Sequence, residues 1–143
     1  MKILIAEDQP SIAESFRLFL ESEGHEVVLT YDGEACLQMY SRAITRRPRF
    51  ARISNDNKWA SAKDNVQPPF NVVVLDVRMP KIDGVDVAKE IMSMCPDQKI
   101  VMSTAYGEET APKMLIEQLG KTVDILQKPF DLENFAAMIN DLN

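Results

Sequence analysis

"VVVLDVRMPKIDG", residues 72–84, decides the fold. Four consecutive apolar residues suit a strand covered on both faces, the kind found in parallel sheets. The run then stops on a carboxylate, Asp76, and "PKIDG" supplies the turn residues that follow. An aspartate at such a strand tip is either a local cap or a group held out for chemistry. The rest of the chain repeats the pattern. Short apolar runs at 2–6, 26–30, 100–103 and 123–126, mostly rich in Val, Ile or Leu, join 72–75 as strand candidates. Amphipathic stretches separate them. The first, 10–23, carries Ile12, Phe16, Phe19 and Leu20 on one stripe and is stopped by Gly24; the others are 33–42, 85–94, 112–119 and 131–142. Five strand–helix repeats predict an α/β fold, a doubly wound five-stranded parallel sheet between two layers of helices.

Length and composition set the bounds. A chain of 143 residues, 45% hydrophobic, is expected to form one domain with a sizeable core. The start, "MKILIAEDQP", has one Lys and an apolar run of four before Glu7 and Asp8, too short for a signal segment or a membrane span. A soluble cytoplasmic protein, away from membranes, is the expectation. Cys36 and Cys95 lack metal or redox spacing and read as buried free thiols. Charge is uneven: residues 41–70 hold seven basic residues against two acidic, +5, while the remainder holds nine against twenty, −11. An acidic body argues against nucleic-acid binding.

In open parallel sheets the functional crevice lies outside the carboxyl ends of the strands. Glu7 and Asp8 follow the first strand, Asp76 the third, Ser103 and Thr104 the fourth, and Lys128 with Pro129 the fifth; the second is followed only by Tyr31 and Asp32. If the strand order is 2-1-3-4-5, the four chemically rich strands are consecutive neighbours, and three carboxylates, a hydroxyl and an ammonium converge. Singly each has a plain explanation: Asp8 caps a helix starting at Pro10, Asp76 starts a turn, Lys128 is a solvated lysine. Together they do not, because two unit charges about 4 Å apart repel by roughly 4 kcal/mol near a protein surface. A divalent cation removes that penalty, and a few hard carboxylate oxygens with room for water suit Mg²⁺, commonly completed by phosphate oxygens. Phosphoryl transfer needs a nucleophile and charge neutralisation. Asp76 is the candidate nucleophile, Glu7 and Asp8 the candidate Mg²⁺ ligands, and Lys128 and Thr104 the candidate partners of the phosphoryl oxygens.

Four stretches, "ILIAEDQP", "VVVLDVRMPKIDG", "VMSTAYG" and "QKPF", stand in order across residues 1–40 and 71–143. In them the sequence resembles the receiver domain of two-component response regulators, in its single-domain CheY-like form. The resemblance implies a flavodoxin-like three-layer sandwich with Asp76 as phosphoacceptor. It further implies that Glu7, Asp8, Asp76 and the backbone carbonyl of Arg78 bind Mg²⁺, that Thr104 is a switch hydroxyl, that Lys128 binds the phosphoryl group, and that Asp83 and Gly84 turn the chain into the next helix. A histidine kinase or histidine phosphotransfer protein would donate the phosphoryl group. The face of the fourth helix, fifth strand and fifth helix would then change for a downstream protein or a second copy of the chain. Such a domain is a phosphoacceptor, not an enzyme, beyond its own phosphorylation and dephosphorylation.

Three features depart from the family pattern. Ile125 stands where an aromatic switch residue is usual, leaving Tyr106 and Phe130 as the nearest aromatics. Pro112 fits only a first helical turn, so the fourth helix is expected to be short and preceded by a "YGEETA" loop. An inserted segment at about 41–70 carries the basic charge with Phe50, Ile53, Trp59 and Phe70 as apolar anchors; docking against the acidic body is the leading expectation, with a partner or nucleic-acid site and disorder as the alternatives. Arg78 and Tyr106 are bulky at positions where the family varies its dephosphorylation rate. Rival chemistries fit less well. A flavin phosphate would meet two negative charges and no glycine in "AEDQPS", and a haloacid-dehalogenase-type phosphohydrolase needs a carboxylate where Arg78 stands. The remaining alternative is a non-phosphorylated receiver-like interaction module acting through the basic insertion. "DLENFAAMINDLN" reads as the fifth helix; as a whole protein the chain is expected to signal through a separate partner or by self-association, and as a fragment of a larger regulator its effector would lie elsewhere.

Overall fold

A computed structural model of the chain describes residues 1–45, 67–104, 123–127 and 131–141. In chain order the elements are β1 (Lys2–Ala6), α1 (Pro10–Ser22), β2 (Glu26–Thr30), α2 (Gly33–Thr45), β3 (Val72–Asp76), α3 (Gly84–Met94), β4 (Ile100–Thr104), β5 (Val123–Gln127) and a last helix, Leu132–Asp141. The five strands form one sheet of order β2-β1-β3-β4-β5, parallel throughout. This is the doubly wound α/β architecture expected from the alternation of elements. The expected helix at 112–119 lies outside the described residues, as do Tyr106, Pro112, Phe130 and residues 46–66 of the inserted segment.

The strict period of two along the strands builds two cores from one sheet. Ile3, Ile5, Val72, Val74, Val101 and Leu126 face one way and meet Phe16 and Leu20 of α1 and Phe135 and Ile139 of the last helix. The Phe16 and Phe135 rings stack with centroids 4.9 Å apart. Leu4, Ala6, Val73, Leu75, Ile100 and Met102 face the other way, onto Cys36 and Tyr40 of α2 and Val87 and Ile91 of α3. Buried on both sides, β3 has no room for a polar residue until its last position.

Element ends follow from local chemistry. Pro10 occupies the first turn of α1, where its missing N–H costs nothing. The residue that caps this helix is Gln9, without a side-chain bond, so Asp8 is not spent as a cap. The helix ends at Ser22, one residue before the expected stop, and the chain leaves through Gly24 at φ +91°, a conformation glycine adopts without strain. Asp32, Asp83 and Asp131 accept bonds from the backbone N–H groups of Ala35, Asp86 and Asn134, satisfying the first turns of α2, α3 and the last helix. The second helix continues three residues past the expected 42.

At the amino-terminal edge of the sheet the chain re-enters β3 through a buried polar knot. Gln98, wholly buried, accepts from the Tyr40 hydroxyl at 2.9 Å and donates to the carbonyl oxygens of Phe70 and Lys99, both at 3.0 Å. The Tyr40 and Phe70 rings lie 6.1 Å apart, and Asn71 pairs with Lys2 through its N–H (2.8 Å) and its Oδ1 (2.7 Å). The end of α2 and the start of β3 are therefore held together at the edge opposite Asp76.

Candidate functional site

Two loops and a strand tip meet at the carboxyl edge. Glu7 continues the alternation of Ile3 and Ile5 one residue beyond β1; its N–H bonds to the Thr30 carbonyl at 3.1 Å, and the Thr30 hydroxyl donates to the Ile5 carbonyl at 3.0 Å. These bonds fix the chain where it leaves the sheet. Asp76 ends β3. Glu7 and Asp76 are buried, 1% and 8% exposed, and Asp8 is the most accessible of the three acids. One carboxylate oxygen from each of Glu7, Asp8 and Asp76 lies within 4.8 Å of the other two. At that spacing each pair of full charges repels by roughly 3 kcal/mol at an effective dielectric near 20. A triangle of hard oxygens open to water on one side fits a small divalent cation that keeps part of its hydration shell.

The loop after Asp76 is held by backbone. The Val77 N–H bonds to the Ser103 carbonyl at 2.9 Å, extending the β3–β4 ladder, and the Gly84 N–H bonds to the Val77 carbonyl at 2.8 Å. A Cβ on Gly84 would lie 2.1 Å from the Asp76 carbonyl oxygen, so only glycine lets α3 begin this close to the strand tip. A second close approach holds the loop's far side, where a Cβ on Gly33 would sit 2.2 Å from the Ile82 carbonyl oxygen. Between them Lys81 takes φ 70°, and its ammonium faces Asp32 at 3.7 Å and Glu34 at 3.6 Å on α2. Asp83 and Gly84 thus form the turn into α3 expected of them, with a physical role for each residue.

Of the expected site residues, the structure brings Glu7, Asp8 and Asp76 together. It places Arg78, exposed, in the loop two residues past Asp76, and Thr104 at the end of β4, beside the register partner of Asp76. Lys128 lies outside the described residues. Ile125 is half-buried in β5, opposite Met102. Ser103, named at the strand tip but given no role by the motif, is the Cα partner of Asp76; it is buried, and its hydroxyl has no hydrogen-bond partner among the described residues. Cys36 and Cys95 are buried and not joined in a disulfide, and burial pushes the Cys36 thiol up to about 12. Among the described residues no helix is long and apolar enough to cross a membrane.

Comparison with known proteins agrees with this fold. The family model described as "Response regulator receiver domain" matches residues 50–140. The alkaline phosphatase synthesis transcriptional regulatory protein PhoP of Bacillus subtilis is 32% identical over 129 residues, 90% of this chain and 42% of PhoP. The chain spans about half the length, or less, of the curated relatives it matches. Among solved structures, a response regulator receiver domain protein from Clostridium thermocellum superposes with a TM-score of 0.74 at 21% identity, covering 99% of this chain and 92% of that one. The chemotaxis protein CheY4 of Vibrio cholerae gives 0.72 at 23%, covering 99% and 98%. Those two likenesses concern the fold; the family match concerns the sequence, and by it the chain belongs to the response regulator receiver domains of two-component signalling.

Proposed function

We propose that Asp76 accepts a phosphoryl group from a histidine kinase or histidine phosphotransfer protein, in a Mg²⁺-dependent reaction, and that the modified domain signals to a downstream protein. The observation that carries this reading is the triangle of Glu7, Asp8 and Asp76, three acids within 4.8 Å at the tip of the central strands. Asp76 is the nucleophile: one carboxylate oxygen attacks phosphorus in line, the bond from phosphorus to the donor breaks, and the donor leaves with that electron pair. Glu7 and Asp8, with Asp76 and the backbone carbonyl of Arg78, hold the cation. When bound, Mg²⁺ supplies neutralisation of the acids and of the phosphoryl oxygens. Thr104 and Lys128 take the remaining oxygens, and their movement alters the face formed by the fourth helix, β5 and the last helix, through which a partner or a second copy of the chain is engaged. Gly84 and Gly33 allow the close backbone approaches that position the loop carrying Arg78.

The test is intact mass after incubation with acetyl phosphate, with and without Mg²⁺, on wild type and Asp76→Asn. One added phosphoryl group, present only in wild type with Mg²⁺, is expected. No gain under any condition would refute the reading and favour a non-phosphorylated interaction module working through the basic segment 41–70.

A further inference from the structure

Ser103 stands beside the phosphoacceptor in a way the sequence motif does not record. Residues paired across parallel strands project to the same face of a sheet. The pairs before it obey this: Val74 and Val101 are partners and both lie in the core under α1, while Leu75 and Met102 are partners and both lie in the core under α2 and α3. The next pair is Asp76 and Ser103. Ser103 is therefore on the same face as Asp76 and one strand away, about 4.8 Å in the ladder direction. On its far side the row continues to an apolar residue, Leu126. The polar part of the row is Glu7, Asp76 and Ser103.

The residue is 1% exposed, and among the described residues its hydroxyl oxygen has no hydrogen-bond partner. A buried orphan of this kind costs stability and is uncommon in folded proteins. Val101 demonstrates that an apolar side chain suits the preceding position of the same face. An unsatisfied donor next to an acid that gains acceptor oxygens on modification has an evident partner in the modified state.

We propose that Ser103 is a further phosphoryl-site hydroxyl. It is unpartnered before the reaction, and its O–H donates to an oxygen of the acyl phosphate formed on Asp76. The bond exists only in the phosphorylated chain, so it lengthens the life of that state and shifts the balance toward it. This rests on Asp76 being the phosphoacceptor.

The experiment compares wild type, Ser103→Ala and Ser103→Thr in acetyl phosphate and Mg²⁺. It reads the steady-state phosphorylated fraction by intact mass, the first-order loss of the phosphoryl group after donor removal, and the melting temperature of the unphosphorylated protein. For Ser103→Ala the ratio of phosphorylated to unphosphorylated chain should fall about tenfold, the scale of one hydrogen bond to a charged group, mainly through faster loss. Its melting temperature should be equal to or above that of wild type, since the variant removes an orphan. Ser103→Thr should recover most of the lifetime. A ratio and lifetime within twofold of wild type in Ser103→Ala would overturn the proposal, and so would a fall that tracks a lowered melting temperature and is not restored by threonine. A wild type that takes no phosphoryl group would instead refute the assignment of Asp76, and Ser103 with it.

Discussion

Replacing Gly84 by alanine should damage this domain, although it sits in the first turn of a helix where alanine is normally the better residue. The added Cβ would lie 2.1 Å from the Asp76 carbonyl oxygen, 2.9 Å from its carbon and 3.0 Å from the Val77 Cα. All three are backbone atoms of the strand tip and cannot rotate away. Forcing a carbon into packed surroundings costs typically 1–3 kcal/mol, and rigid neighbours place this case near 3. The Gly84 N–H bond to the Val77 carbonyl, 2.8 Å long, is strained at the same time, at about 1 kcal/mol. Helix propensity returns about 1 kcal/mol. The net loss is near 3 kcal/mol, and for a chain of this length that lowers the melting temperature by roughly 10 °C. The shift also falls on the nucleophile itself, where a displacement of about 1 Å can cost on the order of a hundredfold in rate. Thermal unfolding followed by circular dichroism, paired with the initial rate of phosphorylation by acetyl phosphate, checks both parts. A Gly84→Ala protein melting within a degree or two of wild type would refute the argument.

Gln98→Ala should cost about 2–4 kcal/mol in urea unfolding, because the Tyr40 hydroxyl and the Phe70 carbonyl lose the bonds they make to Gln98 in the core, while the Lys99 carbonyl keeps the Val73 N–H at 3.0 Å. Tyr40→Phe removes the hydroxyl's bond to Gln98 but leaves the Gln98 bonds to the carbonyls, and should cost about 1–2 kcal/mol; equal losses would contradict the account of the knot. Burial raises the Cys36 thiol to about 12, opposed by a hydrogen bond with Thr30 and assisted by the charge of Asp32. Native protein at pH 8 should therefore leave Cys36 unlabelled by a thiol reagent that reacts fully after unfolding. With the folded value above the unfolded one, the unfolded thiol ionises first, so Cys36 costs stability as pH rises from about 9 towards 12. That decline should be shallower in Cys36→Ala. Saturating Mg²⁺ should raise the melting temperature: a cation at 100 times its Kd adds about 2.7 kcal/mol, or roughly 9 °C at this length. Asp8→Asn should weaken that dependence.

Much of this is legible in the sequence, for reasons that differ from residue to residue. Continuous apolar runs such as "VVVL" can be read because a central parallel strand is buried on both faces; alternation alone leaves the strand order open, and the ladders fix it as 2-1-3-4-5. Glu7, Asp8 and Asp76 can be read because charge at the end of an apolar run is costly without a purpose. Gln98 cannot: "PDQK" looks like a solvated loop, and only the three-dimensional meeting of α2, the start of β3 and the start of β4 makes its side chain a core residue. Gly33 likewise looks like a simple helix start until the Ile82 carbonyl is found against it. Ser103 is masked by its neighbour Thr104, since the motif gives a hydroxyl at the strand end and the register between β3 and β4 is needed to show which residue lies beside Asp76.

The central claim is that the strand tip exists to present Asp76 as a nucleophile. Borohydride reduction of protein treated with acetyl phosphate and Mg²⁺ converts an acyl phosphate to an alcohol, and peptide mass mapping then locates it. The account predicts homoserine at position 76 and unmodified Glu7 and Asp8. Conversion at Glu7 or Asp8, or phosphate retained on a serine or threonine with Asp76 intact, would contradict it.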